Sequence, residues 1–204
     1  MPVKIFTSFD DGSKLDIKTA QLLLEYKLPG IFFIPNQSPR TDIKPEEIRY
    51  LAEAGFEIGG HTKTHPADMK LLSFEKQTDE ISYNRGWLQG LTGQSVDWFS
   101  YPRGRWNEDT IKAVIMAGFK FARTTVVGHI QEQTDYYQLM TSAHIYQRQE
   151  YNGVDWLEYA KNLFLEAKKI NGVFHLFGHS WEVEKFQNWQ KLEELFKFIY
   201  DNKD

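Results

Sequence analysis

Short apolar runs alternate with amphipathic stretches along the whole chain, which is the pattern of repeated βα units. Apolar runs over residues 3–9, 31–35, 56–59, 98–101, 119–124 and 173–177, with a weaker one over 140–146, are predicted strands. The helices between them have legible boundaries. KPEEIRYLAEAG places Pro45 in a first turn, Glu46 and Glu47 at the positive helix end and Gly55 as terminator. In NEDTIKAVIMAG, Asn107 is the N-cap and Gly118 the exit, while Trp189, Leu192, Leu195, Phe196 and Ile199 mark one face of a last helix. Seven strands with intervening helices in 204 residues predict an irregular (β/α) barrel in one domain, with an open doubly wound sheet as the alternative. Four loops follow strands: DDGS, GHTKTHP, PRGRWN and GHSWE. They therefore gather at the carboxyl ends of the strands, where α/β folds place their chemistry.

Composition narrows the choice of partner. The chain is 41% hydrophobic and 25% charged, with a net charge of -4 and no run of Lys or Arg, which argues against nucleic acid or an anionic membrane surface. Aromatic residues make up 15%, including six Trp. Most belong in the core, and Trp106 and Trp181, in strand-end loops, are candidates for stacking on a sugar face. The absence of cysteine leaves His, Asp and Glu as the available metal ligands. The opening MPVKIFTSF lacks the layout of a signal peptide and no stretch approaches a membrane span, so a cytoplasmic location is expected.

Two features carry candidate chemistry. The first strand ends in FTSFDDGS, where Asp10 and Asp11 are adjacent; burying both carboxylates is costly unless a cation relieves the repulsion. Neighbours on a strand point in opposite directions, so one can bind a metal while the other faces its water; an Asx turn leading into KLDIKTAQLLLEY is the structural alternative. His61 and His65, four apart in GGHTKTHPADM, follow another strand and complete a three-ligand set with one carboxylate, leaving positions open as in a catalytic zinc site. His179, in VFHLFGHSWE, is placed to act as a general acid if a carboxylate orients it. Asp155 in NGVDWLEY is the candidate for that carboxylate, with a helix N-cap as its alternative role.

Together these residues resemble the polysaccharide deacetylases of carbohydrate esterase family 4. The matching stretches are SFDDG (family T-F-D-D-G), HTKTH, SYPRG (family R-x-P-Y-G), VDW and FGH, in family order over nearly the whole chain. The resemblance implies a distorted (β/α)7 barrel, with residues 1–204 forming a catalytic domain that removes N-acetyl groups from an N-acetylated carbohydrate. It also implies a divalent metal, zinc first, held by Asp11, His61 and His65, with Asp10 as general base, His179 as general acid and Asp155 as partner of His179. Trp156 would form an apolar wall, Tyr101 and Pro102 would shape the groove, and the backbone N–H of Arg103 would help bind an oxyanion.

The family arginine that flanks the base falls at Ser100, and the following family Tyr is Arg103. A base beside a metal still needs orienting, and Arg148 or Arg103 is expected to substitute. Two other functions compete: hydrolysis of another C–N bond, in a formamido sugar or cyclic amide, and glycan binding without turnover.

Overall fold

In the computed structural model, which describes residues 2–203, the apolar runs become β1 (Lys4–Asp10), β2 (Ile31–Ile34), β3 (Glu57–Gly60), β4 (Trp98–Ser100), β5 (Phe121–Arg123), β6 (Ala143–His144) and β7 (Val173–Gly178). Every strand pair is parallel, in the order β5-β4-β3-β2-β1-β7-β6. The sheet curls into a distorted (β/α)7 half-barrel, and the doubly wound alternative, which would place helices on both faces of an open sheet, is not adopted.

The distortion is concentrated where the sequence signal was weakest. Residues 136–145 form only two residues of regular strand, yet their backbone ties both sheet edges together. Leu139 N–H donates to Ala122 O (2.9 Å) on β5, and Ser142 and Ile145 donate to His175 O (2.8 Å) and Phe177 O (2.9 Å) on β7. The chain crosses from one edge to the other over a few residues, so no long ladder forms on either side.

Alternation along the central strands sorts the side chains. In β2, buried throughout, Phe32 packs on Phe9 (5.8 Å between centroids) and Phe56 (5.4 Å), while Phe33 lies 5.1 Å from the Arg123 guanidinium. Outside the sheet run α1 (Asp16–Glu25), α2 (Pro45–Glu53), α3 (Phe74–Thr92), α4 (Glu108–Met116), α5 (Trp156–Lys169), α6 (Ser180–Lys185) and α7 (Trp189–Asn202). Asn107 caps α4 by accepting from Thr110 N–H (2.9 Å), and α7 buries Leu192, Leu195, Phe196 and Ile199. Each such side chain contributes about 1.5–3 kcal/mol on leaving water. Among the described residues no helix is long and apolar enough to cross a membrane.

Candidate active site

β1 ends in a reversal that its residues make possible. Asp11 (φ 78°) and Gly12 (φ 65°) both take left-handed conformations, which glycine adopts freely and aspartate only at a cost. The loop after β3 repeats this at Thr62 (φ 67°) and His65 (φ 56°). Strain of about 1–3 kcal/mol per residue persists only where surrounding contacts over-determine it. Here Glu80 of α3 accepts from both the backbone N–H (2.8 Å) and hydroxyl (2.7 Å) of Thr64, and Thr62 Oγ1 accepts from His65 N–H (3.0 Å).

These turns bring Asp11, His61 and His65 together. Asp11 Oδ1 lies 3.7 Å from His61 Nε2 and 3.4 Å from His65 Nε2, and the three donors fall within 4.8 Å of one another. His61 Nδ1 sits 2.8 Å from the Ser100 carbonyl, which fixes the proton there and leaves Nε2 as a lone pair. Burial, then the neighbouring His61, lowers the His65 pKa to about 4, so His65 is neutral at pH 7. Asp11 Oδ2 accepts from Trp181 Nε1 (3.0 Å), but Oδ1 is buried with no hydrogen-bond partner. Burial alone would raise the Asp11 pKa; His61, His179 and His65 hold it below the usual carboxylate range. An orphaned carboxylate oxygen facing two imidazole lone pairs fits a divalent cation.

Asp10 points elsewhere. Its Oδ1 accepts from Arg123 Nη2 and its Oδ2 from Ser100 Oγ (3.2 Å), while Arg123 Nη2 also donates to Ser100 Oγ (2.8 Å). Burial favours the protonated carboxyl, and the Arg123, His61 and His179 charges outweigh it, leaving Asp10 ionised. Arg123 is wholly buried, with its guanidinium carbon 4.7 Å from the Phe177 ring and 5.1 Å from Phe33. Ser100 and Arg123 are register partners across β4 and β5, so the arginine missing from position 100 is supplied one strand over. This corrects the expectation for Arg148 and Arg103. Arg148 Nη2 pairs with Glu150 (2.7 Å) at the surface, and Arg103 is exposed on the pocket rim. The available signal was a charged residue inside the apolar run FKFARTT.

The partner of His179 also differs from expectation. Its Nδ1 lies 2.6 Å from Glu182 Oε2, one turn along α6, and the same oxygen lies 3.0 Å from His144 Nε2. Asp155 instead caps α5 by accepting from Leu157 N–H (3.1 Å) and pairs with Lys191 (2.7 Å), because its place at the head of α5 turns it toward the surface. The helical spacing in HSWE was the signal for Glu182, and reading that stretch as a loop hid it. Burial would lower the His179 pKa, but the Glu182 hydrogen bond and charge raise it, so the ring favours the protonated form. Burial opposes ionisation of Glu182, yet His144 and His179 bring its pKa down to about 2. Replacing Glu182 by Gln is expected to lower the pKa of His179 and move the alkaline limb of the kcat/KM profile to lower pH. An unmoved limb would show that Glu182 does not set this proton.

Next along the chain, Ser180 Oγ donates to Asp16 Oδ1 (2.5 Å), and Asp16 Oδ2 is buried unpartnered. Burial pushes the Asp16 carboxyl up to about 8, against the bonds from Ser180 and Ser13 and with help from the Asp11 charge. A proton bound in the folded protein but lost from the unfolded chain near about pH 4 stabilises the fold fully below that pH. The contribution fades as pH rises toward about 8. In chelator-treated protein, melting temperature is expected to fall over that window, and Asp16→Asn is expected to flatten the slope. An identical slope in the variant would assign the dependence to other groups.

Asp10, Asp11, His61, His65 and His179 line one pocket of about 170 Å³ with Arg40, Arg103, Thr125, Trp181 and Glu182. Tyr101, Pro102 and Trp156 are buried and lie outside this lining; Tyr101 stacks on Trp106 (5.3 Å), which places Trp106 with the core, and donates to Tyr137 O (2.8 Å). Arg103 holds a left-handed turn (φ 56°) after Pro102.

Comparison with known proteins finds the same family. The polysaccharide deacetylase family profile matches residues 2–122. The protein YxkH of Bacillus subtilis (strain 168) is 26% identical over 138 residues, 66% of this chain and 49% of the relative. A chitooligosaccharide deacetylase of Sinorhizobium fredii (strain NBRC 101917 / NGR234) is 25% identical over 116 residues, 56% of this chain and 53% of the relative. The chain spans about half the length of these curated relatives. A family 4 carbohydrate esterase from Streptomyces lividans, solved in complex with acetate, has a TM-score of 0.70 at 17% identity, covering 98% of this chain and 90% of that one, which is a likeness of fold.

Proposed function

Because this chain belongs to the polysaccharide deacetylase family, we propose that residues 1–204 are a metal-dependent catalytic domain that hydrolyses the N-acetyl groups of an N-acetylated saccharide. The observation that carries the reading is the pairing of two different carboxylates: Asp10 ionised by a buried arginine, and Asp11 orphaned beside two neutral-capable imidazoles. Asp11, His61 and His65 would hold the metal, with zinc the best match to a carboxylate and two imidazoles. A divalent cation there supplies Lewis-acid polarisation of the acetamide carbonyl and of a water molecule.

The remaining steps belong to the protein. Asp10 accepts the proton of the attacking water, and Arg123 and Ser100 hold its carboxylate in place. His179, kept protonated by Glu182, delivers a proton to the departing amine as the C–N bond breaks. The turn at Arg103 offers a backbone N–H at the pocket rim for charge developing on the carbonyl oxygen.

Metal-reconstituted protein incubated with chitooligosaccharides, peptidoglycan fragments, acetylxylan and nucleotide-linked N-acetyl sugars is expected to release acetate from at least one N-acetylated substrate. Formate or ammonia as the product from formamido or cyclic-amide substrates, with no acetate, would overturn the assignment.

A further inference from the structure

Of the carboxylates lining the pocket, Asp10 and Glu182 are paired and Asp11 keeps one oxygen without a hydrogen-bond partner, yet the lining carries further positive charge. Asp10 is bonded to Arg123 and Ser100, Glu182 to His179 and His144, and Asp11 faces His61, His65 and Trp181. Arg40 and Arg103 nevertheless line the pocket mouth. A second hollow of about 290 Å³, lined by Arg40, Trp181 and Lys185, adjoins it and shares Arg40 and Trp181 with it.

Two cations stand near the Trp181 ring, Arg40 Cζ at 5.5 Å and Lys185 Nζ at 6.0 Å from its centroid. Among the described residues, Arg103 and Lys185 have no carboxylate within ion-pair distance. Glu184, beside Lys185 on α6, instead accepts from Trp189 Nε1 (2.5 Å). Arg40 reaches one carboxylate, Asp11 (3.6 Å), which is also the one a divalent cation would engage. This local excess of positive charge stands on a chain whose net charge is -4, so it is a property of the site and not of the surface at large.

Building on the deacetylase reading, we propose that the substrate carries an anionic group, a phosphate ester or a carboxylate, on the acetylated sugar or the unit next to it. The acetamide enters the catalytic pocket, the sugar face lies on Trp181, and the anion sits in the adjoining hollow against Arg40 and Lys185. Arg103, which also lines the catalytic pocket, adds attraction. A guanidinium and an ammonium sharing one hollow with an indole suit this pairing of a charged oxyanion with an apolar sugar face.

The test compares three sugars of similar size: neutral N-acetylglucosamine, its 6-phosphate, and the carboxylate-bearing N-acetylmuramic acid. Affinity is measured by calorimetry on the metal-loaded Asp10→Asn variant, and acetate release on the metal-loaded wild type. One or both anionic sugars are expected to bind about 10-fold tighter than the neutral one at low salt, with the preference shrinking as ionic strength rises. The better of the two identifies the anion. Lys185→Glu and Arg40→Gln are each expected to cut the preference to about twofold or less, with metal content unchanged in both. Equal affinity for all three sugars, or a preference that survives both substitutions, would overturn the inference. Acetate released from neutral sugars without anionic preference defeats it while leaving the deacetylase reading intact; no acetate from any saccharide defeats the reading itself.

Discussion

Replacing Asp10 by Asn is expected to lower kcat by about 10²–10⁴-fold, the usual contribution of a positioned general base, while leaving the metal content unchanged. The separation of the two effects follows from geometry. The amide keeps the shape of Asp10 and still accepts a hydrogen bond from Arg123, but it cannot take a proton from water. Asp11, His61 and His65 form their cluster without Asp10. Elemental analysis beside single-turnover acetate release checks both halves, and an Asp10→Asn protein with full turnover would remove Asp10 from the base role. By contrast, His61→Ala is expected to lose both metal and activity, since it deletes one of three donors.

Arg123→Met is expected to destabilise the protein by about 3–5 kcal/mol, because the buried Asp10 carboxylate loses the guanidinium bonded to it, the strongest of the charges that oppose its burial. Methionine fills much of the space between Phe33 and Phe177, so the loss is mainly electrostatic. A pH signature should accompany it. The depressed pKa of Asp10 in the wild type contributes stability at pH values above the unfolded value, lost only as pH falls through the lower folded pKa. Without Arg123 the strongest charge opposing burial is gone, so the Asp10 pKa should rise and the acidic limb of kcat/KM should move to higher pH. The double variant Asp10→Asn/Arg123→Met is expected to be more stable than the sum of the single effects allows, because removing both charges leaves neither one stranded. Additive losses by denaturant titration, with an unmoved acidic limb, would show that the pair is not coupled.

Much of the fold was legible because β-strands buried on both faces must be apolar along their length, and the intervening helices must show one apolar face. Runs such as IFFI and the α7 stripe leave little choice. The weak run over 140–146 was the exception, since a segment bonded to two sheet edges in turn has no periodicity of its own. The aspartate pair, the two histidines and His179 were readable for a related reason: each stands at the end of such a run, and parallel strands bring those ends together.

Sequence alone thus determined the succession of strands and helices along the chain, the carboxyl-end gathering of Asp10, Asp11, His61, His65 and His179, and the problem of two adjacent carboxylates. Tertiary structure decided which groups resolve that problem. Arg123 reaches Asp10 across 113 positions of sequence, Ser100 across 90, and Trp181 reaches Asp11 across 170. Partners of this kind are chosen by strand neighbour and register, which a linear pattern does not encode: Arg123, the register partner of Ser100 one strand over, is the arginine that reaches Asp10. Glu182 against Asp155 makes the same point over a shorter distance. Both are carboxylates near helix starts, but α6 follows directly on His179 and turns Glu182 inward, whereas α5 turns Asp155 to Lys191 and solvent.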